Sequence, residues 1–484
     1  MTATPHSEVP RIPLFTAIST YFGYGMLLLV GHLRDFFHHT FQGQHTTAPK
    51  GYAPIVSDFE DFYTRRLYQR IHDCWNRPIA SCPGAYVDII ERTPLVYGKE
   101  MTFTGTVKRC LNLGSYNYLG FGDPDSPTKD AVLKSLQAFP VATSATRSSV
   151  GTSTVHSECE NVVARYLGKE AALVFGMGFG VNSTVLPALI GKESLIISDS
   201  HNHSSIAVGA RSSGATIKVF RHNDVKHLEQ IIRRAIVDGQ PKSHRPWRKI
   251  MIMVEGIYSM EGEMCPLRAV VDIKKRYKCF LYVDEAHSIG AVGQHGRGIC
   301  EHANVPVSDI DVLMGTFTKS FGAVGGYIAS SADVIHHLRH ACAGSVYSAS
   351  ISIPACQQVI SAMQIIMGED GTTIGQQKLK QLRDNSNYFR KRLIDLGCHV
   401  YGDYDSPVIP TMLYSPAKIP AFSRECYERG IAVVVVGFPA SPLLLSRTRF
   451  CISAAHTRKD LDWALERIEE VCEAVGLKYA KHVL

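Results

Sequence analysis

The chain has 484 residues, 45% hydrophobic and 20% charged, an ordinary balance for a globular enzyme with room for a full buried core. Its formal charge of +7 is small for that length, and no compact basic run carries interleaved aromatics, which argues against nucleic acid as a partner. The thirteen cysteines show no C-x-x-C pair and no His/Cys ligand cluster, so neither a disulfide framework nor a zinc or other metal site is expected, and the thiols fit the reducing side of a membrane.

In chain order, the first element is apolar. Ile12 to Val30 contains no charged residue, with Arg11 before it and Arg34 and Asp35 after it. That is about the length that crosses a bilayer core, although Pro13, Thr16, Ser19, Thr20 and two glycines dilute it. No clean small-x-small cleavage site follows, which opposes a secretory signal. The amphipathic continuation, Leu33 to Phe41, also suits a helix lying among lipid headgroups. Residues 1–50 are therefore expected to be a membrane-associated helix, spanning or interfacial, with Gln42 to Gly51 as a polar linker.

Residues 51–110 read as an arm packed on the body, with helical spacing from Asp58 to Trp75. Short β-prone runs follow at Ala171–Phe175, Ser194–Ser198, Thr216–Phe220, Ile250–Val254, Cys279–Val283, Ile310–Met314 and Gly326–Ala329. Stretches long enough for crossover helices separate most of them, which predicts a mainly parallel sheet with helices on both faces over 111–354. Over 355–484 the pattern changes to a smaller α+β domain. It has a helix-like run at Gln357–Met367, strand candidates at Val408–Leu413, Ile431–Val436 and Phe450–Ser453, and a last helix from Lys459 to Val475.

Four strand-end elements carry chemistry. Phe175 to Asn182 (FGMGFGVN) is a Gly-rich strand-to-helix turn whose backbone N–H groups can approach a phosphate, although such a turn alone is often only a turn. Asp199 to Ser205 places His203 where an imidazole face can lie on a planar ring. Asp284 and His287 form Asp-x-x-His: a carboxylate beside a pyridine nitrogen keeps it protonated, and His287 can hydrogen-bond a phenolic oxygen. Thr316 and Lys319 form Thr-x-x-Lys, in which the hydroxyl can meet a phosphate and the amine can hold an aldehyde as a Schiff base and then act as a general base. Each alone has a bland structural explanation. Their succession at the ends of successive strands, the edge where open α/β sheets bind ligands, points to pyridoxal 5'-phosphate.

Further runs add a resemblance. Gly114 to Gly120 (GSYNYLG), Asn202 to Ser205, Val254 to Gly262, Asp284 to Gly290 and Gly315 to Gly322 (GTFTKSFG) resemble the α-oxoamine synthases, fold-type I pyridoxal phosphate transferases that condense an amino acid with an acyl-CoA and release carbon dioxide. The similarity runs over nearly the whole chain. It is greatest to the catalytic subunit of the membrane-bound eukaryotic members, which join L-serine to palmitoyl-CoA to give 3-ketosphinganine at the start of sphingolipid synthesis. Family members forming aminolevulinate, 8-amino-7-oxononanoate or 2-amino-3-ketobutyrate are the alternative. The resemblance implies an aldehyde link at Lys319, ring contacts from Asp284, His203 and His287, and a phosphate held by Thr316 and the backbone at Gly178 and Phe179. Tyr116 to Gly120 would lie near the substrate entrance, and Ser348 would face a dimer interface. It further implies a homologous first subunit lacking the lysine, small activating and regulatory membrane subunits, contact with membrane lipid, and an endoplasmic reticulum location with the catalytic body in the cytosol. One departure stands out: Gly437-Phe438-Pro439 occupies the place where single-chain members carry an Arg-Pro-Pro carboxylate clamp, which leaves the carboxylate partner unassigned.

Overall fold

A computed structural model describes residues 12–42, 51–53, 55, 62, 68–96 and 100–479. Most of the 42–51 linker and most of 58–67, where helical spacing was expected, lie outside the described residues; 68–70 and 72–74 are short 3-10 turns.

The strands are β1 (Tyr86–Arg92), β2 (Phe103–Asn112), β3 (Ala171–Phe175), β4 (Leu195–Asp199), β5 (Thr216–Phe220), β6 (Ile250–Glu255), β7 (Phe280–Asp284), β8 (Val312–Thr316), β9 (Gly326–Ser330), β10 (Val408–Tyr414), β11 (Ile431–Ala432), β12 (Val434–Val436) and β13 (Ser446–Cys451). Seven of them form the central sheet in the order β3-β9-β8-β7-β6-β4-β5. Only β9 runs against its neighbours. The interior strands are covered on both faces, which is why they read as continuous apolar runs rather than alternating ones. Leu281 and Val283 of β7 join one core, whereas Tyr282 points into the core on the other face.

The C-terminal region holds the antiparallel sheet β10-β13-β12, and its β11 joins β1 and β2 from the first quarter of the chain in the sheet β1-β2-β11. Neither β1 nor β2 was expected as a strand, and the hairpin they form pairs through Leu111 and Asn112 with β11. Ile431–Val436, expected as one strand, is instead two. Ile431 and Ala432 pair with β2, then the chain steps across at Val433 so that Val434–Val436 pair with β13. The run is apolar throughout and fits either sheet, so only the packed neighbours decide. The Ile353–Met367 helix packs Cys356, Val359 and Met363 into the core under the central sheet. A 22-residue helix, Ile374–Asp395, follows it. The last helix, Arg458–Val475, starts on a capping box formed by Thr457 and Asp460.

At the N-terminus a single helix, Leu14–Gln42, absorbs both the apolar run and its amphipathic continuation. Leu14–Phe37 is long and apolar enough to cross a membrane by length and composition. Most of its large side chains are exposed, among them Phe15, Ile18, Phe22 and Leu29, while Thr20 and Tyr24 are buried against the body.

Candidate active site

The strand ends β4, β6, β7 and β8 deliver Asp199, Glu255, Asp284 and Thr316 to one edge of the sheet. Lys319 follows in the β8–β9 connection. That connection is fixed from beneath: Ser320 Oγ donates to the Ile289 carbonyl at 2.7 Å, tying the lysine loop to the loop that carries His287. Gly290 makes the approach possible, since it has φ +68° and a Cβ there would lie 2.5 Å from the Ser320 Cβ.

Asp284 is buried and held by two donors, Asn182 Nδ2 at 2.8 Å and the Ala286 N–H at 2.9 Å. Asn182 in turn donates to Ser205 Oγ at 2.9 Å and accepts from Tyr282 Oη at 2.6 Å. Ser205 Oγ meets His203 Nδ1 at 2.8 Å, so one fully buried asparagine sets both the carboxylate and the imidazole. The His203 N–H donates to Glu255, and its ring stands edge-on to Phe179 at 6.1 Å. His287 Nδ1 pairs with Tyr118 Oη at 2.8 Å. The Tyr116 ring lies 5.3 Å from His287, 5.6 Å from Lys319 Nζ and 4.7 Å from the Arg449 guanidinium.

The electrostatics follow from burial. At Lys319 the loss of water outweighs the attraction of Asp284 and Glu255 and lowers the amine pKa to about 8. Burial, with help from Lys319 and Arg449, holds His287 well below the ordinary imidazole value, and burial also lowers His203. Burial beside Asp284 pushes the Glu255 carboxyl well up. The pocket therefore combines a weakly basic amine, neutral imidazoles and an anchored carboxylate.

A phosphate cradle adjoins it. The Gly178–Leu189 helix begins against Thr316, and a Cβ on Gly178 would sit 2.8 Å from Thr316 Oγ1 and 3.4 Å from the Gly325 carbonyl. Only a glycine lets that helix N-terminus, with its free N–H groups, lie against the hydroxyl. Amine, carboxylate, imidazole faces and helix N-terminus fit the aldehyde, ring nitrogen, ring plane and phosphate of pyridoxal phosphate. Among the described residues no group of three or more His, Cys, Asp or Glu is arranged to hold a metal ion.

Residues 108–468 match the family model for class I and II aminotransferases. Long chain base biosynthesis protein 2a of Arabidopsis thaliana is 56% identical over 468 residues, covering 97% of this chain and 96% of the relative. Serine palmitoyltransferase 2 of Dictyostelium discoideum is 52% identical over 463 residues, covering 95% and 94%. The chain belongs to the class I and II aminotransferases, in their serine palmitoyltransferase branch. Among solved structures, a variant serine palmitoyltransferase from S. paucimobilis with bound PLP–myriocin aldimine superposes with a TM-score of 0.76 at 27% identity, over 88% of this chain and 100% of that one.

The structure thus brings Lys319, Asp284, His203, His287, Thr316, Gly178 and Phe179 together at one edge of the central sheet. Ser348 and the neighbouring Tyr347 are exposed. Sequence reasoning passed over Asn182, Glu255 and Arg449. Asn182 stood inside the quoted Gly-rich run and Glu255 inside Val254–Gly262, but nothing local says that an asparagine will lie under an aspartate a hundred residues on. Arg449 is 5% exposed, its Nε has no hydrogen-bond partner, and it stacks on the same tyrosine as Lys319. An apolar cavity of about 800 Å³ opens beside it, lined by Tyr24, Leu27, Trp75, Val435 and Phe438. The segment that replaces Arg-Pro-Pro, Gly437-Phe438-Pro439, lines this cavity.

Proposed function

We propose that this chain is the catalytic subunit of a membrane-bound serine palmitoyltransferase, condensing L-serine with palmitoyl-CoA to 3-ketosphinganine with release of carbon dioxide and coenzyme A. The observation that carries this reading is a buried amine of lowered pKa, Lys319, within electrostatic reach of Asp284 and over the same Tyr116 ring as Arg449, which lines an apolar cavity of about 800 Å³. The names of its relatives support the same reaction. Bound pyridoxal phosphate supplies an electron sink for negative charge at the amino-acid Cα.

The chain's residues supply the rest. Lys319 would hold the aldehyde and, when displaced by serine, would serve as the base for the α-proton, for which a pKa of about 8 suits an amine working near neutral pH. Asp284, fixed by Asn182, would face the ring nitrogen of the bound cofactor and favour its protonated form. His203 would cover the ring, and His287, oriented by Tyr118, would donate to the phenolic oxygen. Thr316 and the backbone of Gly178 and Phe179 hold the phosphate. Arg449, buried and with its Nε without a hydrogen-bond partner, pairs with the serine carboxylate. The cavity takes the acyl chain and keeps water from the reacting carbon.

The Leu14–Phe37 helix attaches the protein to the endoplasmic reticulum membrane with its body in the cytosol, a placement that thirteen free cysteines support. Exposed Met177, Phe179 and Tyr347 support a facing chain, for which a homologous lysine-less subunit is the candidate, and small membrane subunits would complete the assembly. Co-expression with such a subunit, followed by product analysis from labelled serine, tests the reading. Long-chain ketone should form, and Lys319→Ala should abolish both turnover and the visible absorption of the bound cofactor. Preference for glycine and a short acyl-CoA would instead assign a sister synthase.

A further inference from the structure

A second cluster of ionisable groups lies where the ends of β4 and β5 of the central sheet meet the hairpin that follows β6. His222 is hydrogen-bonded on both nitrogens, Nδ1 to Asp199 Oδ1 at 2.9 Å and Nε2 to Glu263 Oε2 at 2.9 Å. Ionised carboxylates only accept, so satisfying both requires a doubly protonated ring. Burial opposes that charge, but the two hydrogen bonds prevail and raise the His222 pKa to about 10. His201 stacks on it at 4.2 Å with 21° between the planes, and Tyr258 meets its edge at 4.4 Å.

Glu263 sits at the neck of a tight hairpin. Ile257 bridges Met264, the Tyr258 N–H donates to the Glu263 carbonyl at 3.0 Å, and the Gly262 N–H donates to the Tyr258 carbonyl at 2.8 Å. The tip of that hairpin receives the arginines of β13. Arg447 donates to the Met260 carbonyl at 2.7 Å and pairs with Glu261 at 3.3 Å, while Arg449 reaches the Ser259 carbonyl at 3.5 Å. Glu261 also faces His201 at 3.6 Å. A continuous path of polar contacts therefore runs from Asp199 through His222 and the hairpin to Arg449, the only cation assigned above to the amino-acid carboxylate.

We propose that His222 is a positioning residue for amino-acid recognition: clamped between Asp199 and Glu263, it fixes the hairpin whose tip, through the Ser259 carbonyl and the Met260 sulfur, aims Arg449 at the substrate carboxylate. The proposal rests on the serine-condensing reading and adds the device that sets its carboxylate grip. It also explains the surroundings of an arginine that this chain holds without a neighbouring Arg-Pro-Pro.

The test uses full-length holoenzyme co-expressed with its lysine-less partner. His222→Phe keeps a ring against His201 but removes both donors, and Glu263→Gln keeps the side-chain shape but removes one charge. Calorimetric titration with L-serine and with L-serinamide, which lacks the carboxylate, is run alongside KM for each substrate and thermal melting. In both variants L-serine affinity should fall about tenfold, with L-serinamide affinity and the KM for palmitoyl-CoA within about twofold of wild type. Equal weakening of serine and serinamide, or a lowered melting temperature with an unchanged serine-to-serinamide ratio, would assign His222 a purely structural role and overturn the proposal. Should one variant not fold, the other gives the same ratio. Wild-type protein with no affinity for L-serine would instead overturn the functional reading, and this proposal with it.

Discussion

An exposed lysine keeps its proton to about pH 10.4, whereas burial brings Lys319 down to about 8 against the pull of Asp284 and Glu255. Only the free amine attacks an aldehyde, so capture of pyridoxal phosphate by the cofactor-free protein should accelerate with rising pH through about 8 and level off above it. Stopped-flow absorbance measures this, and a rate still climbing past about pH 10 would contradict the lowered value. The same shift links to stability. Between about 8 and about 10.4 the unfolded chain binds a proton that folded Lys319 has released, so the cofactor-free fold should gain stability as pH rises through that window. Arg449 makes a different demand, for planar donors rather than charge alone. Arg449→Lys should raise the KM for L-serine about tenfold or more while leaving that for palmitoyl-CoA nearly unchanged, in steady-state assays varying each substrate.

The elements matter through where they start and end. The Gly178–Leu189 helix begins so close to Thr316 that Gly178→Ala must force them apart, given the 2.8 Å between its Cβ and Thr316 Oγ1. The strain should cost about 1–3 kcal/mol of stability and weaken cofactor binding, read by thermal melting and by cofactor titration. One turn into the same helix, Asn182→Ala would leave Tyr282 Oη without an acceptor and Asp284 with one donor fewer. A further loss of about 1–3 kcal/mol is expected, with weaker cofactor retention, although the residue would touch no substrate.

At the scale of the whole molecule, the N-terminal helix supplies Tyr24 and Leu27 to the wall of the cavity that reaches Arg449. Filling it from the helix side should shorten the accepted acyl chain: Leu27→Trp should shift product from the sixteen-carbon toward shorter thioesters in a competition assay resolved by mass spectrometry, with L-serine affinity unchanged. Much of this architecture was legible in the order of residues. Apolar runs alternating with crossover-length stretches gave the central sheet to within one or two residues at most strand ends, because strands buried on both faces must be continuously apolar. The placing of Lys319, Asp284, His203, His287 and Thr316 was legible too, since each stands at or just past a strand end in a short motif. The β1–β2 hairpin, the splitting of Ile431–Val436 between two sheets and the contacts of Asn182, Glu255, Arg449 and His222 were not, because their partners lie tens to hundreds of residues away. The sequence by itself determined which groups the pocket contains; the tertiary structure alone decided their charge and aim, since burial and hydrogen-bond partners arise only when distant segments pack together.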